Sequence, residues 1–224
     1  MTKKILSICT PVFNKWNFTK AFLEDLEKLP EDHEIVIVDN GSTDQTQEQL
    51  KNRKNIKYFR SDINKGFAWA SNKAYEISSS ENILFLNNDI RVSGKHSWWT
   101  LELIYAAKNN FLAGPTMGKL DKDLNFIKES NSFLDGNSYL SGWCLCGSKE
   151  TFNKLIINNY SGPFSEEFFC YFEDTDLSFR AKKLNIPFKV IDIPVVHFGK
   201  TSSKQINTAQ LYHNARNIFT KKWL

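Results

Sequence analysis

"EIVIVDNGSTDQTQEQL", Glu34 to Leu50, decides how the first half of this chain is read. Ile35, Val36, Ile37 and Val38 are consecutive β-branched residues with no polar face. A strand built from them has to be covered on both sides, as strands of parallel sheets are. The run stops at Asp39-Asn40-Gly41, which is turn chemistry, and Ser42, Thr43 and Asp44 then supply helix start signals. Buried strand, polar turn and helix make one repeat of an α/β sheet. The same unit stands on either side. "KILSICT" (Lys4 to Thr10) reads as a strand, and Phe18, Phe22, Leu23, Leu26 and Leu29 then recur at helical spacing. "IKYFR" (Ile56 to Arg60), "GFAWASNKAYEIS" (Gly66 to Ser78) and "NILFLN" (Asn82 to Asn87) continue as strand, helix and strand.

Beyond Val92 the alternation loosens. "SWWTLELIYAAKNN" predicts a helix, "FLAGPTM" (Phe111 to Met117) a strand, and the polar stretch from Gly118 to Asn137 a hairpin. "SYLSGWCLCGSKETFNKL" reads as one strand feeding a helix, and "FEDTDLSFRAKKL" as an acidic turn opening another. "PFKVIDIPVVHF" adds one or two strands, and "NTAQLYHNARNIFTKKWL" a closing amphipathic helix.

With 224 residues, 41% hydrophobic and 24% charged, a single soluble globular domain is expected. The apolar N-terminal run breaks at Thr10-Pro11, which argues against a leader peptide. No stretch approaches the roughly eighteen apolar residues of a membrane span. Cys9, Cys144, Cys146 and Cys170 form no CxxC pair, and Cys144-x-Cys146 puts two thiols on one strand face, as core residues. A cytoplasmic protein is expected, with a peripheral membrane contact left open. The net charge of +4 is mild, and the basic run Lys51 to Lys57 reads as a solvated connector or as a face for an anionic partner.

Ligands of open α/β sheets bind beyond the carboxyl ends of the strands. That rule selects four loops: Thr10 to Asn14, Asp39 to Ser42, Asp62 to Gly66, and Asn87-Asn88-Asp89. Each has a plain structural reading beside a functional one. Asp39 suits an Asx turn or a grip on a nucleoside. Asn64-Lys65-Gly66 is a helix entry or a phosphate approach. Asn87-Asn88-Asp89 is a strand-end turn or an oxygen site for Mg²⁺ or Mn²⁺, with substrate phosphate completing the shell. Glu173-Asp174 are helix-capping acids or catalytic carboxylates. His197 is a core histidine or a ligand. The first strand is followed by "CTPVFNK" instead of GxGxxG, which counts against a nicotinamide or flavin dehydrogenase.

"SICTPVFN", "IVIVDNGSTDQT", "NKGFAWASNKA", "FLNNDIRV", "GWCLCGSKETF", "FEDTDLSFRAKKLNIPFKVI" and "VVHFGKTS", in that order, resemble the family 2 glycosyltransferases, in particular the bacterial rhamnosyltransferase-like branch. The resemblance implies a GT-A fold: a Rossmann-like nucleotide half (residues 1–92) continuous with an acceptor-binding half (residues 93–224) around one mixed sheet. It implies inverting transfer from a UDP-, dTDP- or GDP-sugar to a hydroxyl of a glycan or cell-surface polysaccharide. On that pattern Pro11, Asn14, Asp39, Asn64, Lys65, Gly66, Asn87 and Asn88 line the nucleotide sugar. Asp89 and His197 hold the divalent metal, Mn²⁺ or Mg²⁺. Asp174 is the catalytic base with Glu173 beside it, and Trp143 and Phe172 offer aromatic surface to the acceptor. The departure is Asn87, where many relatives carry Asp. Two rivals come from other classes: an idle nucleotide-sugar-binding module, and a nucleic-acid-binding or nucleic-acid-modifying protein. The second has no recognisable reading element. The chain also lacks the C-terminal extension of many relatives, so a compact enzyme, or one working with a partner, is expected.

Overall fold

The computed structural model describes residues 4–29, 32–93, 98–199 and 208–224. Strands β1 (Leu6–Val12), β2 (His33–Asn40), β3 (Ile56–Ser61) and β4 (Asn82–Leu86) alternate with helices α1 (Trp16–Leu26), α2 (Thr46–Leu50) and α3 (Phe67–Ile77). Strand β5 (Ile90–Val92) and helix α4 (Trp99–Lys108) follow. The second half holds β6 (Leu112–Gly114), β7 (Met117–Leu120), β8 (Phe126–Ser130), β9 (Ser138–Leu140), β10 (Cys144–Ser148) and α5 (Lys149–Asn153). It closes with α6 (Glu173–Lys183), β11 (Phe188–Val190), β12 (Val195–His197) and α7 (Thr208–Trp223).

One mixed sheet of seven strands runs in the order β11-β6-β10-β4-β1-β2-β3. β1, β2, β3 and β4 are parallel to their neighbours among themselves, and β10 lies antiparallel between β4 and β6. The two-residue side-chain period sorts the core into two layers. Ile35, Ile37, Leu84, Leu86, Cys144 and Cys146 join α1 and α4 on one face. Val36, Val38, Ile83, Phe85 and Leu145 join α3 and α6 on the other. The Cys144-x-Cys146 pair is therefore a pair of free core thiols, and burial raises both above the ordinary thiol range.

Two elements differ from the sequence reading. "FLAGPTM" is two strands in two sheets: β6 belongs to the main sheet, and β7, after Pro115, belongs to a small sheet ordered β8-β7-β9. Proline has no N–H to continue a ladder, so the chain turns there. "SYLSGWCLC" likewise splits into β9 and β10, interrupted at Ser141-Gly142-Trp143 where the chain crosses from the small sheet to the large one. A third apolar cluster sits under α7, where Phe168, Phe172 and Phe219 are buried together. Among the described residues no helix is long and apolar enough to cross a membrane.

Candidate active site

The loops at the carboxyl edge are stitched to one another. Asn14, with φ near 57°, uses Oδ1 to accept from the amides of Thr43 (2.7 Å) and Asp44 (3.2 Å), while its own amide donates to Ser42 Oγ at 2.7 Å. The first loop is thus fastened to the second, with Pro11 just behind it on β1, paired with Val38. Asn40 performs the same task one strand along: its Nδ2 donates to Asn64 Oδ1 (2.8 Å) and to the Gly66 carbonyl (2.9 Å), and its Oδ1 accepts from the Lys65 amide (2.9 Å). Nothing in the sequence pattern distinguished Asn40 from an ordinary turn residue.

Asp39 is fully buried and committed to protein donors. Oδ1 accepts from the Ser42 amide at 2.8 Å, which is an Asx turn, and Oδ2 accepts from Tyr58 Oη (2.8 Å) and Arg60 Nη1 (2.5 Å). Arg60 and Tyr58 were missed from sequence because the pairing of Asp39 with Arg60 is set by the β2–β3 register. Gly66, with φ near 95°, serves a close approach: a Cβ there would sit 2.5 Å from the Phe169 carbonyl, which also accepts from the Phe67 amide at 2.7 Å. The first helical amide of α3 is therefore taken by Phe169, where the sequence left it for a phosphate. Lys65 Nζ lies 4.4 Å from the centre of the Trp69 ring.

Asn87-Asn88-Asp89 joins β4 to β5. Asn88 Nδ2 donates to Thr19 Oγ1 at 2.8 Å, which ties this loop to α1. The Asn87 amide donates to the Trp143 carbonyl at 2.8 Å, and Asn87 Oδ1 is buried with no hydrogen-bond partner among the described residues. Pairing of β5 with β12 brings His197 opposite Ile90, so His197 Nε2 stands 3.2 Å from Asp89 Oδ1. The Phe198 amide donates to the Asp89 carbonyl at 2.9 Å, and the imidazole stacks on the Trp143 indole with centroids 4.7 Å apart and planes 9° apart. One carboxylate and one imidazole suit a hard or borderline divalent ion that draws its other ligands from a diphosphate. Among the described residues no group of three or more His, Cys, Asp or Glu is placed to hold a metal ion, so protein alone does not complete such a shell. The end of the last motif, Lys200 to Ser202, lies outside the described residues.

Glu173-Asp174 open α6 from inside its first turn. The preceding residues, Tyr171 and Phe172, both hold positive φ (72° and 65°), a conformation that costs non-glycine residues about 1–2 kcal/mol each. Such strain persists where the surroundings enforce it, often at functional sites. Here Phe172, 7% exposed, stacks on Phe219 at 5.0 Å, and Tyr171 meets Tyr212 at 5.7 Å, so α7 clamps the turn. Asp174 reaches the β9–β10 crossing: Oδ2 accepts from the Gly142 amide at 2.8 Å, and Oδ1 from the Thr175 amide at 2.7 Å. Burial raises its carboxyl despite these donors. Glu173 is pushed up to about 8, first by burial and then by the charge of Asp174, and its Oε2 has no hydrogen-bond partner among the described residues. The two adjacent acids thus differ in their surroundings: Asp174 is held by backbone amides, and Glu173 is buried against it. Asp176 is a buried hub, accepting from Arg180 Nε (2.8 Å) and Trp223 Nε1 (3.0 Å), with Lys222 Nζ at 2.9 Å.

Residues 7–158 match the family described as Glycosyl transferase family 2, which is more than half of the chain. This chain belongs to glycosyl transferase family 2. It is 31% identical over 142 residues to an uncharacterized glycosyltransferase of Rickettsia bellii, covering 59% of this chain and 20% of that protein. It is 24% identical over 214 residues to the low-salt glycan biosynthesis hexosyltransferase of Haloferax volcanii, covering 83% and 66%. The chain therefore spans less than two thirds of the length of these relatives. Among solved structures, S. aureus TarS residues 1–349 in complex with UDP superposes with TM-score 0.58 at 22% identity, covering 85% of this chain and 59% of that one. A mannosyltransferase from Pyrobaculum calidifontis in complex with GDP-Man and Mn²⁺ superposes with TM-score 0.60 at 12% identity, covering 85% and 55%. These structural likenesses establish the fold as GT-A, as the motif order implied.

Proposed function

We propose that this family 2 chain is an inverting glycosyltransferase. It moves a hexosyl or deoxyhexosyl group from a UDP-, GDP- or dTDP-sugar to a hydroxyl of a glycan, as in polysaccharide biosynthesis. In this reading residues 1–92 bind the nucleotide sugar and residues 93–224 bind the acceptor and carry the base. One observation carries it: Asp174 hangs on the Gly142 amide, and the next residue, Trp143, touches both Asn87 and the imidazole that faces Asp89. A buried carboxylate and a carboxylate–imidazole pair thus converge on one dipeptide at the edge where α/β sheets bind ligands.

Asp174 takes the proton of the acceptor hydroxyl as its oxygen attacks the anomeric carbon. The bond from that carbon to the diphosphate oxygen breaks in the same displacement. One base and no enzyme nucleophile give inversion. Positioned general-base help contributes about 10²–10⁴-fold. Glu173 stays protonated through neutral pH, because burial opposes its charge, so Asp174 has no second full negative charge beside it. Asp89 and His197 would hold the divalent ion, which when bound supplies positive charge against the developing diphosphate. The Mn²⁺ and GDP-Man of the Pyrobaculum structure and the UDP of TarS support this assignment. Asn14, Asp39, Asn64, Lys65, Gly66, Asn87 and Asn88 frame the donor, and Asp39 contributes by fixing Arg60 and Tyr58 at the loop. Trp143 borders the acceptor side, and Phe172 supports it from within the aromatic cluster under α7. A matched donor should give a product whose anomeric configuration is inverted by NMR; a retained configuration would overturn the single-displacement mechanism.

A further inference from the structure

Gly142 and Trp143 sit at the crossing from β9 to β10, between the small sheet and the large one. Their polar and ring atoms face two directions. The Gly142 amide holds Asp174 Oδ2 at 2.8 Å, and a Cβ on Gly142 would stand 3.0 Å from the Asp174 Cβ, so the two segments are in contact. The Trp143 carbonyl holds the Asn87 amide at 2.8 Å, and its indole lies 4.7 Å from the His197 ring in a nearly parallel stack. His197 is one-quarter exposed and belongs to a short strand paired only with β5 in a two-stranded sheet. A flat indole against one face opposes rotation of the imidazole toward that side and favours the orientation in which Nε2 is directed at Asp89.

We propose that Trp143 is a positioning residue: its indole fixes the imidazole of His197 toward Asp89 for a divalent cation, and through Gly142 the same dipeptide sets the spacing between that pair and Asp174. This rests on the reading of Asp89 and His197 as metal ligands. Partners of metal-ligating groups, when removed, typically weaken metal binding about 10–100-fold. The stack is also specific to an aromatic plane, so shape and apolarity alone should not replace it.

The test is titration of the full chain with Mn²⁺, alone and with UDP, GDP or dTDP present, followed by electron paramagnetic resonance of the free ion against a protein-free control, with the thermal midpoint measured for each variant. Trp143→Leu should weaken Mn²⁺ binding about 10–100-fold, whereas Trp143→Phe, which keeps a stacked ring, should stay within about threefold of wild type. In the metal-free protein the His197 Cε1 proton should resonate upfield under the indole and lose that displacement in Trp143→Leu. If Trp143→Leu binds Mn²⁺ like wild type while Asp89→Ala and His197→Ala do not, the positioning role is wrong and the metal pair stands. If all of these variants bind like wild type, or wild type binds no Mn²⁺ either alone or with a nucleoside diphosphate present, the metal reading fails and the proposal falls with it. Equal weakening by Leu and Phe, in step with a lowered midpoint, would mark Trp143 as packing and overturn the role as well.

Discussion

Asp174 and Asp176 are two residues apart on α6, yet substitution should separate them cleanly. Asp174 contacts Gly142 and Thr175, so Asp174→Asn keeps the shape and, on the proposed mechanism, loses the proton acceptor. Turnover per folded protein should fall by about 10²–10⁴-fold with donor binding kept, while one of the two backbone donors loses its acceptor at a cost of about 1–3 kcal/mol. Asp176 neutralises Arg180 and Lys222 in a buried setting, and removing one partner of such a pair costs about 3–5 kcal/mol. Asp176→Asn should therefore melt early, and any loss of turnover should follow the loss of folded protein. Near-normal turnover in Asp174→Asn would overturn its role as the base. Glu173 itself gives a pH signature. The fold holds its proton up to about pH 8, whereas an ordinary glutamate releases it near 4.5. Between those values the folded state binds more protons than the unfolded one, so stability falls as pH rises. Urea midpoints at pH 5 and pH 8 should show a shallower fall in Glu173→Gln than in wild type.

Among the elements, the first two loops act as one piece because of Asn14. Asn14→Ala leaves the amides of Thr43 and Asp44 without their acceptor and puts alanine at positive φ. Each lost acceptor costs about 1–3 kcal/mol and the backbone about 1–2, so at least about 3 kcal/mol of destabilisation is expected by denaturant unfolding. Asn14→Asp keeps the acceptor and should lose less than about 1 kcal/mol. Helix α7 plays the matching part on the other side, with the fully buried Phe219 touching Phe168, Phe172, Phe179 and Trp223. Phe219→Ala should cost about 3–5 kcal/mol and release the strained Tyr171-Phe172 turn that presents Asp174. A variant that melts early yet turns over normally when folded would show that the clamp is structural only.

For the whole molecule, β1 to β4 were legible because each is a short apolar run between turn signals, and a strand covered on both faces leaves that mark in one dimension. The crossings at Pro115 and Ser141-Gly142-Trp143 were not legible, since which sheet a strand joins depends on partners distant in sequence. The site divided in the same way. Asp89, His197 and Asp174 were nominated by motif order, but the roles of Arg60, Asn40, Gly142 and Asp176 come from strand register and packing. Trp143 was visible as an aromatic near the site, while its contact with His197 required β12 to be paired to β5.

The central claim is that the carboxyl edge of this sheet binds a nucleoside-diphosphate sugar together with a divalent ion at Asp89. The most direct measurement is the thermal midpoint of wild type and Asp89→Ala with UDP-, GDP- and dTDP-sugars, each with and without Mn²⁺. A donor present at one hundred times its Kd stabilises the fold by about 2.7 kcal/mol. One donor class should raise the wild-type midpoint in the presence of Mn²⁺, and that rise should vanish without the ion and in Asp89→Ala. No rise with any donor, or an equal rise in Asp89→Ala, would contradict the account.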